Sequence, residues 1–370
     1  MFKIKRTKPK FFILEAPVHE YLCGVSAFRL HRTPPQVLAL CMYLPDISLR
    51  TDKIRIARHP ELFGDLELPI HVLTTDAAQH RSSKSVVMHL WSGELPSGSF
   101  MENELDITLA TPEFTLLTMA PHVSRVHLLM AAYELCGDFS VYRPAPEVQR
   151  ELDRLHAAGA LNGNAAWRQV HSTNGAPSTL WRHDPLLEVG ALQRFAAQTE
   201  GMRGHKALAW VAERVTGIAS SPLEVQASIL FGLSRALGGE GFGPFENNKR
   251  IPLSPGARKL AGQETCYADL YFEATDAHPP LDIECHGHLA HDGAVKGELD
   301  ANRALALQSM GIEVALLTHE QLANPGRFDA AADHIAAKLG RERKPKTPRM
   351  QEKQAELMRQ LFIDWETLGS

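Results

Sequence analysis

Cysteine is scarce in this chain, and its few copies are dispersed. The 370 residues include five cysteines and no C-x-x-C pair: Cys23, Cys41, Cys136, Cys266 and Cys285. A disulfide framework and a cysteine-based zinc module both need closely or regularly paired cysteines. The spacing therefore argues against both classes and favours a reducing compartment, the cytoplasm.

Long apolar segments are also missing. No run approaches the ~18 consecutive apolar residues that a membrane-spanning helix needs. Near the amino terminus, Glu15 and His19 interrupt the apolar stretch that begins at Phe11, which breaks up a signal-peptide core. The sequence therefore predicts neither secretion nor a membrane partner.

The chain lacks a strong excess of one charge. Lys and Arg together number 39 and Asp and Glu 43, for a net charge of -4. Any contact with nucleic acid must then come from local basic patches, and two exist, Lys3 to Lys10 and Arg341 to Lys353. Each patch taken alone is typical of a solvated terminal arm.

The chain is long enough to bury more than one core. Its composition, 44% hydrophobic and 22% charged, is typical of a soluble globular protein, and its length predicts about two or three domains. The Gly and Pro punctuation predicts four segments: an α+β N-terminal domain over 1–150, a linker with a helical segment over 151–220, an α/β domain over 221–340, and a basic tail with a C-terminal helix over 341–370.

The α/β domain shows the clearest alternation of elements. The pattern predicts a mixed sheet flanked by helices in the order α-β-β-β-α-β-α. The predicted elements are a helix at Pro222–Leu237, a short strand at Ile251, strands at Cys266–Phe272 and Leu281–His286, a helix at Glu298–Met310, a strand at Ile312–Leu317 and a helix at Phe328–Leu339.

Acidic residues within two of these strands form the main candidate site. Residues two apart in a strand share a face, so Asp282, Glu284 and His286 project together. Asp269 lies among apolar neighbours, where a carboxylate without partners is unfavourable. If the strands are neighbours, Asp269 and Glu284 converge into an oxygen site of the kind that holds Mg²⁺ for phosphodiester hydrolysis. The spacing leaves open that Asp269 pairs with a buried Arg and that Glu284 is a surface residue.

Two further candidates flank this pair. His286, His288 and His291 form H-x-H-x-x-H; a loop position favours general bases or phosphate contacts over a zinc cluster. Glu224 stands in a capping box that begins at Ser221, which explains the residue without any function. A role at a metal site requires that the start of this helix faces the end of the sheet.

The segment from Ser221 to about Leu339 resembles the PD-(D/E)XK nuclease superfamily, and within it the Vsr-like group, similar to very-short-patch repair endonucleases. The group's hallmark is a helix Glu, a strand Asp, then E-x-[DH]-G followed by a His. The matching positions are Glu224, Asp269, Glu284-Cys285-His286-Gly287 and His291, followed by Asp300-x-x-Arg303 and Gly311-Ile312-Glu313-Val314.

The resemblance implies a restriction-endonuclease-like fold and a metal-dependent DNA endonuclease active in phage defence or DNA repair. Asp269 and Glu284 would bind Mg²⁺ or Mn²⁺, with Glu224 holding the metal or its water. His286 and His291 would transfer protons and stabilise the phosphate. Two features depart from the pattern: His286 replaces the usual Lys, and aliphatic residues replace the aromatic wedges of mismatch recognition.

The N-terminal half carries a second resemblance. His89-Leu90-Trp91, Ser99-Phe100 and the string from Ile107 to Leu117 are similar to AbiEi-type antitoxins and transcriptional regulators. The resemblance implies a module that binds nucleic acid or a protein partner, a second copy of the chain included. The competing hypothesis for the whole chain is a non-catalytic DNA-binding regulator or antitoxin-like protein that retains a nuclease fold. A histidine-based zinc hydrolase is a third alternative.

Overall fold

The computed structural model describes residues 21–40, 68–78, 80–103, 107–161, 167–172, 174–286 and 294–369, with the side chains of 294–300 outside the description. These residues form a mixed α/β structure with three sheets flanked by helices, which confirms the predicted class. Within them, no helix combines the length and apolar character that crossing a membrane requires.

The first sheet belongs to the N-terminal part. Its five strands are β1 (Tyr21–Leu22), β2 (Ile70–Thr74), β3 (Val86–Leu90), β4 (Phe100–Glu102) and β5 (Thr108–Ala110), in the spatial order β3-β2-β1-β5-β4. The helices nearby are α1 (Gly24–Arg32), α2 (Pro35–Leu38), α3 (Pro112–Met119) and α4 (Arg125–Cys136). Helix α4 starts where the Ser124 hydroxyl accepts the His127 N–H, and it stops at Gly137, as the sequence signals indicate.

Two of the three strands of a small second sheet lie within the predicted linker. It consists of β6 (Phe139–Val141), β7 (Arg168–His171) and β8 (Pro177–Arg182) in the order β6-β8-β7. Helix α5 (Pro146–Ala157) packs beside it through Leu152 and Trp181, whereas α6 (Val189–Gln198) and α7 (His205–Ala212) follow it in the chain and pack on α3 and on each other. The linker prediction missed this hairpin because β7 is short and polar, so it lacks the hydrophobic alternation that announces a strand.

The third sheet carries the candidate site. Its strands are β9 (Glu246–Pro252), β10 (Thr265–Phe272), β11 (Leu281–His286) and β12 (Glu313–Thr318), in the order β12-β11-β10-β9. Strand β10 is antiparallel to both neighbours, and β11 is parallel to β12. The helices are α8 (Pro222–Gly232), α9 (Pro255–Ala261), α10 (Ala294–Ser309), α11 (His319–Ala323), α12 (Pro325–Lys338) and α13 (Pro348–Leu361).

Most predicted elements of this region are present with shifted ends. Strand β11 has the predicted limits, whereas α8 ends at Gly232 because Leu233 is extended, and Arg235–Leu237 forms a separate 3₁₀ turn. The sequence prediction missed α9, whose start is capped by the Ser254 hydroxyl.

One hydrophobic core joins the N-terminal and C-terminal parts of the described chain. Phe28 and Leu129 from the N-terminal part belong to the same buried cluster as Phe231, Phe328 and Leu361. Contacts therefore cross the predicted domain limits, and the four-segment division stays a prediction.

A buried carboxylate fixes this junction. Glu134 of α4 is fully buried and accepts hydrogen bonds from Arg32 Nε at 2.9 Å, Trp365 Nε1 at 2.6 Å and the Val141 N–H at 3.0 Å. Arg32 also donates to the Trp365 carbonyl at 3.1 Å. Helices α1 and α4, strand β6 and the chain end are thereby held at one point.

The carboxyl-terminal basic run is not a solvated arm. Arg343 forms salt bridges with Glu240 and Asp333 at 2.8 Å each, and Lys346 pairs with Glu240 at 2.6 Å and Asp329 at 2.9 Å. The expectation of a free basic tail is wrong for these two residues, because neighbouring carboxylates neutralise their charge. The run at Lys3 to Lys10 lies outside the described residues.

We expect Glu134→Gln to lower the free energy of unfolding by about 3 kcal/mol or more, because Arg32 would remain buried without its counter-charge. The matched control is Arg143→Gln, which breaks the exposed 2.7 Å pair with Glu366 and should change stability by under about 1 kcal/mol. Urea unfolding of both variants measures the difference. Equal losses would show that the buried carboxylate does not hold the junction.

Candidate functional site

Asp269 lies where strands β10 and β11 separate. The paired positions run from Phe272 and Leu281 to Leu270 and Ile283. Asp269 is the residue of β10 just beyond these pairs, and its Oδ2 accepts a hydrogen bond from the Cys285 N–H at 2.7 Å. A side chain thus replaces a main-chain partner, and Asp269 and Glu284 stand on neighbouring strands as the sequence predicts.

Strand β11 buries two acidic side chains. Asp282 has 0% and Glu284 7% of its surface exposed, while Ile283 between them packs into the core. Among the described residues, neither Asp282 carboxylate oxygen has a hydrogen-bonding partner. Burial, followed by the charge of Asp282, raises the pKa of Glu284 to about 10. A protonated Glu284 can therefore donate to Asp282, which two carboxylates cannot do.

Arg303 of α10 partly balances these charges. Its Nη2 donates to Glu284 Oε1 at 2.5 Å and also to the Tyr267 carbonyl. In the sequence, Arg303 stands in a helix motif with Asp300. The side chain of Asp300 lies outside the described residues. The structure instead brings Arg303 to the carboxylates, so it is a site residue that the motif alone does not reveal.

Glu224 combines the capping role with a place in the site. Its carboxylate accepts the Ser220 N–H at 2.7 Å and the Ser221 hydroxyl at 2.8 Å. Burial, and then the charge of Asp269, raises the pKa of Glu224 well above its usual range. The start of α8 therefore faces the sheet at Asp269, which is the condition that a functional role requires.

A cavity of about 820 Å³ opens over these residues. Glu224, Asp269 and Arg303 line it together with Arg182, which comes from β8 in the predicted linker. Arg182 Nη1 donates to Asp138 Oδ1 at 3.0 Å and to the Ser220 carbonyl. Sequence reasoning missed Arg182, since nothing in the local pattern of β8 signals a contact with α8.

The electrostatics of Asp269 reflect this crowding. Burial is the largest cause that raises its pKa, to about 7, and the charge of Glu284 raises it further. Arg303 and Arg182 act in the opposite direction. The site therefore holds more buried negative charge than its two arginines offset.

The donor set fits a hard divalent cation. Carboxylate oxygens are the ligands that Mg²⁺ and Mn²⁺ prefer, and Asp269, Glu284 and Glu224 supply them. The raised pKa values of Asp269, Asp282 and Glu284 are the feature that a nearby cation would relieve. Within the described part of the chain, no three His, Cys, Asp or Glu side chains are already arranged around one point as ligands.

The structure describes one of the three predicted histidines. His286 lines a small cleft with Glu284 and Arg303, so it lies next to the carboxylates. His288 and His291 lie outside the described residues, and their predicted roles stay predictions.

Comparison with known proteins yields no match. Neither a known protein family, nor a curated protein, nor a solved structure is significantly similar to the chain. The function is therefore inferred from the geometry of this site and from the motif resemblance.

We expect Arg303→Gln to lower the free energy of unfolding by about 3 kcal/mol at pH 8 in the presence of a chelator. Asp269 and Asp282, whose pKa values are raised to about 7, are ionised at this pH and would lose the buried positive charge that stabilises them. Arg327→Gln is the matched control, since Arg327 pairs with Glu320 at 2.8 Å on the exposed surface of the same region. Urea unfolding compares them. A loss in Arg303→Gln no larger than in the control would remove Arg303 from the site's charge balance.

Proposed function

We propose that the chain is a metal-dependent DNA endonuclease that hydrolyses phosphodiester bonds, with a Vsr-like PD-(D/E)XK nuclease fold in its C-terminal part. The observation that carries the proposal is the convergence of Glu224, Asp269 and Glu284. They come from one helix and two neighbouring strands. Glu224 and Asp269 line the large cavity together with Arg182 and Arg303, and Glu284 lines the adjoining small cleft with Arg303. Buried carboxylates beside cationic side chains suit hydrolysis of a phosphate ester.

The carboxylates divide the work of holding the ion. Asp269 and Glu284 are the proposed ligands of Mg²⁺ or Mn²⁺, because they face each other from adjacent strands. Glu224 holds the ion or its water from the start of α8. The bound ion supplies charge neutralisation at the phosphate and an activated water.

The arginines are suited to bind the DNA backbone. Arg182 is about one-third exposed at the cavity wall, and its guanidinium can form paired hydrogen bonds with a phosphate. Arg303 now donates to Glu284 and lowers the pKa values of the buried carboxyl groups, and it would be released toward the phosphate when a cation takes over that task. The two side chains hold the substrate across the carboxylate cluster.

His286 takes the position where the superfamily usually has Lys. An imidazole with an ordinary pKa of about 6.5 can give or accept a proton near neutral pH. His286 lies beside Glu284, so it is the proposed group for proton transfer, with His291 contacting the phosphate. The N-terminal part would bind nucleic acid or a protein partner in the cytoplasm, in phage defence or DNA repair.

We expect purified protein to nick or cut plasmid DNA with Mg²⁺ or Mn²⁺, and Asp269→Asn and Glu284→Gln to abolish cleavage, because each removes a metal ligand. Glu273→Gln changes an exposed carboxylate just after β10 and should leave the rate unchanged. Gel analysis of supercoiled, nicked and linear plasmid measures all four proteins.

A second readout separates lost metal binding from lost chemistry. Mn²⁺ should raise the melting temperature of the wild type by a few degrees, since a ligand that binds the folded state stabilises it. The shift should vanish in both site variants and remain in Glu273→Gln. DNA binding without cleavage under every metal condition would favour the non-catalytic regulator, and cleavage by both site variants would place the activity elsewhere.

We expect His286→Ala to reduce the cleavage rate by roughly 10²-fold or more, as the loss of a general acid or base does, with little change in DNA affinity. His334→Ala, on the exposed face of α12, is the control. Single-turnover cleavage rates and gel-shift affinities measure the two effects. A wild-type rate in His286→Ala would leave proton transfer to another group.

A further inference from the structure

A second cavity lies at the first sheet and shares no residue with the carboxylate site. Its volume is about 530 Å³, within the range typical of small-molecule pockets. Basic side chains form one part of its lining, which we call the basic wall, and apolar side chains form another part, the apolar wall. The lining includes His89, His122, Arg203, Trp91, Glu94 and Met202.

Separate elements bring the basic groups together. His71 and His89 come from the parallel strands β2 and β3, where Leu73 pairs with His89. His122 follows α3, with its N–H bonded to the Met119 carbonyl at 2.8 Å. Arg203 lies in the connection between α6 and α7. The cluster therefore depends on the tertiary fold and has no local sequence motif.

The three imidazoles form a compact group. His71 Nδ1 lies 3.0 Å from His89 Nε2, and the ring centres of His89 and His122 are 4.8 Å apart. Two imidazolium ions cannot hydrogen-bond to each other because both nitrogens of each are donors. At least one of His71 and His89 is therefore neutral.

The cavity is rich in basic groups and poor in acceptors. Burial, followed by His71, His122, Arg203 and His80, lowers the pKa of His89 to about 4. Burial also lowers the pKa of His71 and His122, and the charged neighbours that contribute are again basic, Arg29 among them.

Among the described residues, no carboxylate forms an ion pair with a basic side chain of the cavity lining. Within the described residues, Arg203 forms no ion pair, and the one acid on the lining, Glu94, has an exposed side chain. The Glu94 carbonyl accepts Trp91 Nε1 at 3.3 Å. The basic wall thus offers donors that a bound anion would satisfy.

A metal ion is a poorer occupant for these histidines. The nitrogens of His71 and His89 that approach each other are engaged in their mutual hydrogen bond. Within the described residues, no three such side chains are placed as ligands of one ion. Cationic neighbours such as Arg203 and Arg29 would also repel a cation.

The apolar wall suits a flat ring. Trp91 is half-buried, and its ring centre lies 5.3 Å from that of Phe114 in an edge-on arrangement, which fixes its orientation. Leu117 and Met202 continue the apolar surface. An aromatic side chain held in this way is a stacking platform for a base.

We propose that this cavity binds a 5′-mononucleotide, with its phosphate held by Arg203, His122 and His89 and its base against Trp91. The site is separate from the carboxylate cluster and does not depend on the proposed nuclease activity. The phosphate supplies the acceptors that the basic wall lacks, and the apolar wall accounts for the base.

Isothermal titration of the full-length protein with AMP, CMP, adenosine and inorganic phosphate tests the proposal. We expect a Kd below about 1 mM for at least one nucleotide, with adenosine and inorganic phosphate each roughly tenfold weaker or more. Arg203→Gln and His122→Gln should weaken nucleotide binding by roughly tenfold, the effect of losing a hydrogen bond to a charged group. Arg194→Gln and His156→Gln, which alter exposed basic residues outside the cavity, should bind like the wild type.

Several results would overturn the proposal. These are no heat of binding with any nucleotide, equal binding by adenosine or by phosphate, and unchanged affinity in Arg203→Gln and His122→Gln. Stoichiometric Zn²⁺ binding that His71→Gln removes would assign the cluster to a metal instead. Tighter binding by a 5′-phosphorylated oligonucleotide would assign it to nucleic acid. Melting curves of each variant establish that it is folded.

Discussion

The charge of Glu134 sets how the two ends of the chain meet, because a buried carboxylate must keep all of its partners. Arg32, Trp365 and the Val141 N–H satisfy it from three different elements. Val141 lies in β6, and β6 pairs with β8, which ends at Arg182. The same constraint that joins the chain ends therefore also places an arginine at the carboxylate cavity.

The carboxylates of the third sheet show the opposite balance. Glu134 has a donor for each oxygen, whereas Asp282 among the described residues has no donor besides a protonated Glu284, and Glu284 relies on Arg303. Such crowding destabilises the fold unless protons or a cation compensate. A protein that keeps buried acids in this arrangement gives up local stability at that point, which is typical of functional sites.

Local signals in the sequence account for much of this arrangement. Periodicity, caps and glycine stops predicted the order of the strands and helices around β11, and strand parity predicted that Glu284 meets Asp269 if their strands are neighbours. The ion pairs of Arg182 and Arg303 could not be predicted, because their carboxylate partners are 44 and 19 residues away and an ion pair leaves no periodic trace. The solvent exposure of the basic run at Arg343 was misjudged for the same reason, because Glu240 from a distant segment forms a salt bridge with Arg343.

The origin of Arg182 has a consequence for how this protein can evolve. Residues 221–340 carry the motif, yet one wall of their cavity is supplied by β8, outside that range. A recombination event that moved the motif-bearing segment alone into another gene would transfer the acids without this arginine. The motif-bearing segment therefore needs the small second sheet to complete its cavity, although the local sequences of β6 and β8 do not announce this contribution.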